Sequence, residues 1–450
     1  MIESILDQRM MKLSAGHGEQ IITDQVSLHS ISSEWDDLVS DSSASVFQMF
    51  DWQSLWWKSF ASTDRNTLFV IVFRDSDKII GIAPFFIQFR TVLEVVVYRQ
   101  LKLLGSGLKA ERTSIISLET EGPGDYLDVI ARYGYEDTVG NMVAKFLSSN
   151  NFRWDEIEFQ NIPEAGVLMK YVLPRLRTSH LEIKSAMTEV CPMVILNGSW
   201  ENTLKSLSAR ARRSFRRAER NYIENGEFTI EDAELSGNID EALNELSRLH
   251  QKHWNSIGYP GLFSDPRFNL LYRELAKVFH QKGRLWLTLL RHNREAIAAR
   301  LCFVLKDRVY DYLSGFDIGG GNDEGASYSG AGTALLVTTM KRAGVSGYRF
   351  FDLLRGDEGY KFDLTSFAPV NYQIVIRQTR GAWRLRACIF KLIGGWFQLR
   401  TRIICEWEIL RVIVEENGII AAGRIYPSHL KKRLKKKRSV NTLKEAGDNY

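Results

Sequence analysis

The sequence predicts a mixed α/β chain in which one α/β unit occurs twice, and three observations carry that expectation. FRDSDKIIGIAPFF, starting at Phe73, and LRHNREAIAARLCF, starting at Leu290, share one layout: two apolar runs around a short polar turn. Gly140 and Phe159 in the first half, and Gly332 and Phe351 in the second, bracket helix–turn–strand stretches with the same 19-residue separation. Such self-similarity is the mark of an internal duplication. The composition, 44% hydrophobic and 25% charged with 11 Trp and 24 Phe, is that of a globular chain able to fill sizeable cores. It excludes disorder, collagen and coiled coil as the main state, and 450 residues suffice for two large units.

The elements follow in order. In residues 46–60, Phe50, Leu55, Trp56 and Phe60 fall to one side at helical spacing, with Asp51 as a cap. Residues 68–74 and 79–87 flank a four-residue polar turn and read as a hairpin. After a looser stretch come a helix over 137–149 and a strand at 155–160. The second half starts near Val190. Leu204, Leu207, Ala211, Phe215, Ala218 and Tyr222 recur at three- and four-residue steps, predicting one helix over 201–222 that Asn225-Gly226 stops. A helix over 240–256 starts at Asp240. A second hairpin (285–291 and 296–305), a strand (308–316), a Gly/Ser-rich loop (318–332), a helix (333–343) closed by Gly344, and a strand (348–354) complete the pattern. The boundary falls between 185 and 195, which gives units at 20–188 and 189–378 and an extension at 379–450.

Charge narrows the classes of function. The net charge of +5 is dominated by KKRLKKKR at 431–438, with seven cations and no acid, so the rest of the chain is slightly acidic. A near-neutral body argues against a nucleic-acid protein. The four cysteines, at 191, 302, 388 and 405, show no CxxC spacing, which excludes a disulfide scaffold or a four-Cys zinc site and fits a reducing cytosol. The first twenty residues lack the apolar core of a signal peptide, and no run is long and apolar enough to span a bilayer. A cytoplasmic location is expected.

Four segments hold candidate chemistry. Ser327-Tyr328-Ser329-Gly330-Ala331-Gly332-Thr333 precedes a helix, where small residues and free N–H groups suit an anion such as a pyrophosphate. It matches neither GxGxxG nor a Walker loop, and a merely flexible helix entry fits the residues too. Asp352-Leu-Leu-Arg355-Gly-Asp357-Glu358-Gly-Tyr360-Lys361 gathers polar groups at a strand end, where site residues tend to project, although a solvated turn reads the same way. His250 and His253 lie on one helix; with no third ligand evident, packing or substrate lining is preferred to metal binding. Arginines 210, 212, 213, 216, 217 and 220 flank the apolar stripe of the 201–222 helix as a solvated face or an anion contact. Neither GxSxG nor HExxH occurs, so direct transfer in a ternary complex suits the chain better than a covalent intermediate.

WENTLKSLSARARRSFRRAERN, LHQKHW, AIAARLCFV, YDYLSGFD, YSGAGTALL and FDLLRGDEGYKFDL, taken in order, resemble the cellulose-biosynthesis-type acetyltransferases of the GCN5-related N-acetyltransferase (GNAT) superfamily. FDWQSLWWKSF, LKLLGSG and DYLD add to the likeness, which covers roughly residues 20–375. The resemblance implies tandem GNAT folds with mixed sheets flanked by helices, the layout also used by Fem-type aminoacyltransferases. It implies acetyl-CoA or another acyl-CoA as co-substrate, no metal, and a pyrophosphate site at Ser329, Gly330, Gly332 and Thr333. Asp317 and Asp352 are then the expected orienting groups or bases, and Tyr360 the proton donor. His253, Arg355, Asp357, Glu358, Lys361, Asp125 and Tyr126 are the expected substrate contacts. The long polar stretch from Leu108 to Gly124 departs from relatives on the acceptor side.

The expected reaction is acyl transfer to an amine or hydroxyl of a sugar or glycolipid precursor of surface polysaccharide, with the first unit on the acceptor side. Fem-type aminoacyl transfer and an inactive membrane-associated assembly factor are the alternatives. Trp383, Trp396 and neighbouring Arg and Lys, with the basic tail, further suggest peripheral attachment to an anionic membrane.

Overall fold

The computed structural model describes residues 19–378, apart from 62–64, 93–94, 109–121, 150–153, 177–180, 197, 257–260, 318–327 and the side chains of 90–92 and 95–97, together with Trp407, Leu410 and Arg411. The expected membrane-binding stretch and basic tail lie outside the described residues.

The first unit contains β1 (Glu19–Ile22), α1 (Gln25–Ser30), α2 (Ser32–Ser40), α3 (Phe50–Trp56), β2 (Asn66–Asp75), β3 (Lys78–Val92), β4 (Val95–Leu103), β5 (Ile130–Ala131), α4 (Glu136–Ser149), β6 (Glu156–Pro163) and β7 (Leu181–Val190). The second contains β8 (Met193–Ile195), α5 (Trp200–Ser206), α6 (Ala209–Ala218), β9 (Phe228–Asp232), α7 (Ile239–Ser256), α8 (Pro266–Gln281), β10 (Leu285–His292), β11 (Glu295–Leu305), β12 (Arg308–Phe316), α9 (Ala331–Val345), β13 (Phe350–Asp352) and α10 (Gly359–Leu364); β14 (Val370–Gln378) closes the described chain.

Two mixed sheets result, ordered β1-β2-β3-β4-β6-β14-β7, with β5 beside β3, and β8-β13-β12-β11-β10-β9. In each, an antiparallel meander is followed by a helix and then a parallel strand: β4 pairs parallel with β6, and β12 with β13. This is the duplication read from the sequence. The β2 run LFVIVF is buried at every position because its sheet is covered on both faces, hence its continuous apolar pattern. In α4, by contrast, Val139, Val143, Ala144, Phe146 and Leu147 form a single buried stripe.

The structure departs from the sequence-based expectation at three points. Residues 46–60 are not one capped helix: a 3-10 turn (Val46–Gln48) precedes α3 and a π turn (Trp57–Ala61) follows it, with Met49 at the N-cap. Asp51 instead sits in the first turn and pairs with Lys282. The expected 201–222 helix breaks into α5 and α6 because the Ser208 side chain accepts a hydrogen bond from Ala211 N–H and starts a new helix. Finally, β14 pairs with β6 and β7, so residues 370–378 complete the first sheet although they follow the second unit in sequence. A linear boundary therefore does not separate the two sheets.

One apolar core runs through both units. Trp52 of α3 is fully buried, edge-on to Phe279, Phe303 and Tyr312 of the second unit at ring separations of 6.2, 5.3 and 5.4 Å. Around this contact Lys306 donates to the carbonyls of Ser42 and Ala44, and Lys282 reaches Asp36 at 2.8 Å. Such a shared core makes the units unfold together. Scanning calorimetry should show one transition for both sheets. Trp52→Ala should lower stability by about 3–5 kcal/mol by emptying that junction, and two separate transitions in the wild type would refute the coupling.

Candidate active site

The site begins where strand pairing ends. Parallel pairing of β12 with β13 covers only Arg308/Phe350, Val309/Phe351 and Tyr310/Asp352. Beyond it β12 continues to Phe316, whereas the other chain leaves the sheet at Leu353-Leu354, Leu354 having a φ of 56°. A register shift against β11 between Leu301 and Cys302 puts an extra residue into β12 at the same level. The two parallel strands thus splay apart.

A cavity of about 470 Å³ opens in this part of the second unit. Its walls are Arg210, Ser214 and Phe215 of α6, Ser314 and Phe316 of β12, and Tyr360 and Leu364 of α10, with Ser329, Gly330, Gly332 and Thr333 at the start of α9. No side chain caps α9; its N-cap is Gly330 at φ 101°, a left-handed conformation that strains any residue with a Cβ. At Gly332 a Cβ would come within 3.0 Å of the Phe316 ring. Tyr222 fixes the loop by donating to the Ser329 carbonyl at 3.0 Å. All four residues expected to hold a pyrophosphate therefore line the cavity, next to an uncapped helix start that favours anions.

Of the expected catalytic groups, Tyr360 lines the cavity and is half exposed. Partial burial, and then the Asp311 charge, push its phenol up to about 12, so it stays protonated near neutrality. Asp317 and Asp352 are absent from the cavity wall. Asp317 lies at the end of β12, its main-chain N–H bonded to the Ile297 carbonyl and its carboxylate 2.7 Å from Lys252. His253 joins it there through Phe316, whose ring centroid is 5.2 Å away. Phe316 thus separates the cavity from the Asp317–Lys252–His253 group. His250 is inside the core, accepting from Trp254 Nε1 at 2.9 Å; burial pushes its pKa down to about 4, so it is a neutral packing residue. No cluster of three metal-ligating side chains occurs among the described residues.

Asp352 is completely buried at the seam between the units. Its carboxylate accepts from Tyr126 Oη (2.9 Å), Leu354 N–H (2.9 Å) and Arg308 (3.3 Å). Burial pushes it up to about 6, against the opposing effects of Arg308, the Leu354 N–H and Tyr126. Asp125 is also buried and pairs with Arg355 at 3.3 Å, while Arg355 donates to the Gly122 carbonyl at 2.6 Å. Lys361 bonds to the carbonyls of Leu354 and Arg355 and to Glu358, so it organises its own turn. Among the expected substrate contacts, Asp125 and Arg355 therefore bind each other, Tyr126 binds Asp352 and Lys361 binds its own turn, whereas Asp357 and Glu358 are exposed.

Sequence reasoning missed Arg300 and Ser314. Arg300 lines the cavity, forms a buried ion pair with Asp311 and donates to the Gly332 carbonyl at 3.2 Å. Its signal was present: it is the sole charge in the run AIAARLCFVL of β11.

Residues 209–362 match the acetyltransferase (GNAT) domain family, a span that includes the cavity residues named above except Leu364. Over 83% of this chain and 99% of the other, the fold is similar to the crystal structure of FemX, with a TM-score of 0.53 at 11% identity. A conserved protein of unknown function from Bacteroides thetaiotaomicron (TM-score 0.49, 12% identity, 80% of this chain and 100% of the other) is also similar. So is a tandem GNAT protein from the clavulanic acid biosynthesis pathway (TM-score 0.38, 8% identity, 81% and 99%). No curated protein sequence matches. The second unit thus carries a GNAT-type transferase domain.

The buried carboxyl at 352 has a consequence in solution. Between the ordinary aspartate pKa of about 4 and the folded value of about 6, the native state binds more protons than the unfolded chain. Stability on this account falls as pH rises through that window and is level above it, with a slope of at most about 1.4 kcal/mol per pH unit. Urea unfolding at pH 4.5–7 should show a steeper decline for the wild type than for Asp352→Asn; parallel profiles would show that Asp352 does not titrate there.

Proposed function

We propose that the chain transfers an acyl group from acyl-CoA to an amine or hydroxyl of a sugar or glycolipid precursor of a surface polysaccharide, by direct transfer in a ternary complex. The observation that carries the donor half is the cavity whose walls join the splayed end of β12 to the uncapped start of α9. The residues fit such a donor: Gly330 and Gly332 let backbone approach a pyrophosphate, the adjacent slot between strand and helix suits an extended arm, and Arg210 stands in the wall for a further anionic group. The acceptor half rests on the likeness of six ordered segments to cellulose-biosynthesis-type acetyltransferases.

When bound, the thioester supplies an acyl carbon open to attack. In this reading Ser329, Gly330, Gly332 and Thr333 hold the donor. The acceptor nitrogen or oxygen would bond to the acyl carbon and give its proton to solvent as the carbon–sulfur bond breaks, while Tyr360, kept protonated by its raised pKa, would donate its proton to the departing sulfur and regain one from solvent. Asp317, with Lys252 and His253, faces the other side of Phe316 and would orient the acceptor. Asp352 acts at a distance, tying the end of β13 to Tyr126 and Arg308. The first unit, through Asp125 and Tyr126, would support the acceptor side. Asp357 and Glu358, exposed beside α10, would meet the acceptor from solvent.

A second reading, aminoacyl transfer of the Fem type, is favoured by the similarity to the FemX fold and by the exposed Arg213, Arg216 and Arg217 on α6 and Arg220 just after it. Attachment to a membrane surface would rest on residues 379–450; no helix among the described residues is long and apolar enough to cross a bilayer.

Acyl-CoAs should raise the melting temperature by mass action, and Gly330→Ala and Gly332→Ala should weaken their binding about tenfold, or 1.4 kcal/mol, by calorimetry. Tyr360→Phe should keep donor affinity and lose about 100-fold in turnover. Thermal response to aminoacyl-tRNA but to no acyl-CoA would select the second reading.

A further inference from the structure

The charges of α6 are placed unlike those of α7 and α8. On α7 Arg248 pairs with Glu245, and on α8 Arg273 reaches Asp240 and Lys277 reaches Glu274. The α6 sequence ARARRSFRRA holds five arginines and no acid, and Arg220 follows in a π turn (Glu219–Ile223). Arg212 turns back to the carbonyls of Lys205 and Leu207, and Arg210 lies 3.5 Å from Asp363. Arg213, Arg216, Arg217 and Arg220 are exposed and form no ion pair or side-chain hydrogen bond among the described residues. Like charges three or four positions apart, as at 213/217 and 216/220, destabilise a helix, and cations in its first turn oppose its dipole. Folding of α6 gains nothing from this cluster.

Its position relates it to the cavity. Arg210 and Ser214 stand in the cavity wall. Arg217 is close enough to Tyr222, which holds the Ser329 carbonyl, for its charge to act on that phenol. By helical spacing Arg210, Arg213 and Arg217 share one side of α6, and with Arg220 they form a positive strip about 15 Å long. The strip runs along the cavity from Asp363 of α10 to the loop before α9, and Arg213, Arg216, Arg217 and Arg220 lie outside the wall. A donor held inside the cavity leaves them unused: beyond its pyrophosphate an acyl-CoA has one phosphate group, for which Arg210 is already in place. No large apolar residue between Ile195 and Leu235 is exposed among the described residues. The strip therefore offers neither rings on which bases could stack nor an apolar edge that could enter lipid. Arginines without such company suit an acidic protein surface, which they steer and orient.

The phosphopantetheine arm of coenzyme A is also borne by acidic carrier proteins, attached through its single phosphate. Resting on the acyl-donor reading above, we propose that α6 is the docking surface for an acidic acyl carrier protein that presents its acyl group to the cavity on this arm. The α9 start then holds the arm's phosphate, and the arginine strip holds the carrier's body. The transfer itself is unchanged: the acyl group passes to the acceptor, whose proton goes to solvent, and the arm leaves as a thiol with a proton from Tyr360.

The test is calorimetric titration of the full-length protein with three probes. They are acetyl-CoA, a fatty-acid-synthesis acyl carrier protein with an acetylated arm, and the same carrier without its arm. The acetylated carrier should bind at least about tenfold more tightly than acetyl-CoA, and loss of the arm should weaken it. Arg213→Glu/Arg220→Glu, which leaves the cavity wall intact, should weaken the acetylated carrier at least about tenfold and acetyl-CoA less than about twofold. Its melting temperature should not fall, because like-charge pairs are removed. The milder Arg213→Gln/Arg220→Gln should show the same selectivity to a smaller extent. A carrier that binds no more tightly than acetyl-CoA would overturn the proposal and leave the acyl-CoA reading intact. So would an equal loss for both donors in the double variants, since the arginines would then serve coenzyme A. Binding of tRNA or of phosphatidylglycerol vesicles that the double variants abolish, without a preference for the carrier, would also overturn it. Absence of binding by acetyl-CoA and carrier alike would overturn the donor reading and this proposal with it.

Discussion

The short parallel pairing between β12 and β13 is the constraint on which the rest of the second unit depends. Three residue pairs hold the strands together, and beyond Tyr310/Asp352 β12 has no strand neighbour on the β13 side, while β11 still pairs with it on the other. Such a gap is tolerable only if something else covers it. Here the start of α9, α6 and α10 stand around it as cavity walls, and β12 gains an extra residue at the same level. Asp352, at the last paired position, fixes where the splay begins, since its carboxylate holds Leu354 N–H, Tyr126 and Arg308 at once.

The first unit repeats the topology with a shorter parallel pairing. Its parallel strands pair at Gln100/Glu156 and Leu101/Ile157, and β4 keeps an unbroken register with β3 from Tyr98 to Leu103. Past the pairing, Lys102 and Glu158 are buried 3.5 Å apart, and Gln373 of β14 donates to Glu158 at 3.0 Å. The position that is a cavity wall in the second sheet is thus occupied by the protein's own polar side chains in the first. The ligand-sized space lies in the second unit, which is joined to the first by the Trp52 core and by the Tyr126–Asp352 hydrogen bond.

This division explains why several polar residues of the 352–361 segment are not free to meet a substrate. Arg355 and Lys361 hold carbonyls of Gly122, Leu354 and Arg355, and Arg355 also neutralises the buried Asp125. Buried charges of this kind are costly unless paired, and their pairing here positions α10, which carries Tyr360 into the cavity wall. The segment acts mostly through placement, with Tyr360 as its member at the site.

The sequence by itself determined the repeated hairpins, the helices behind them, and the small-residue start of α9, because each is encoded by local periodicity or by residues a few positions apart. It also carried Arg300 as a lone charge in an apolar strand. Tertiary structure alone decided that β14 joins the first sheet, that Tyr126 meets Asp352 across 226 residues, and that Arg300 pairs with Asp311 beneath α9. Alternation along a strand tells which side chains share a face, but not which strand lies beside it. Pairing partners far apart in sequence are chosen by the joint burial of both sheets, and that free energy belongs to the assembled core rather than to any one segment.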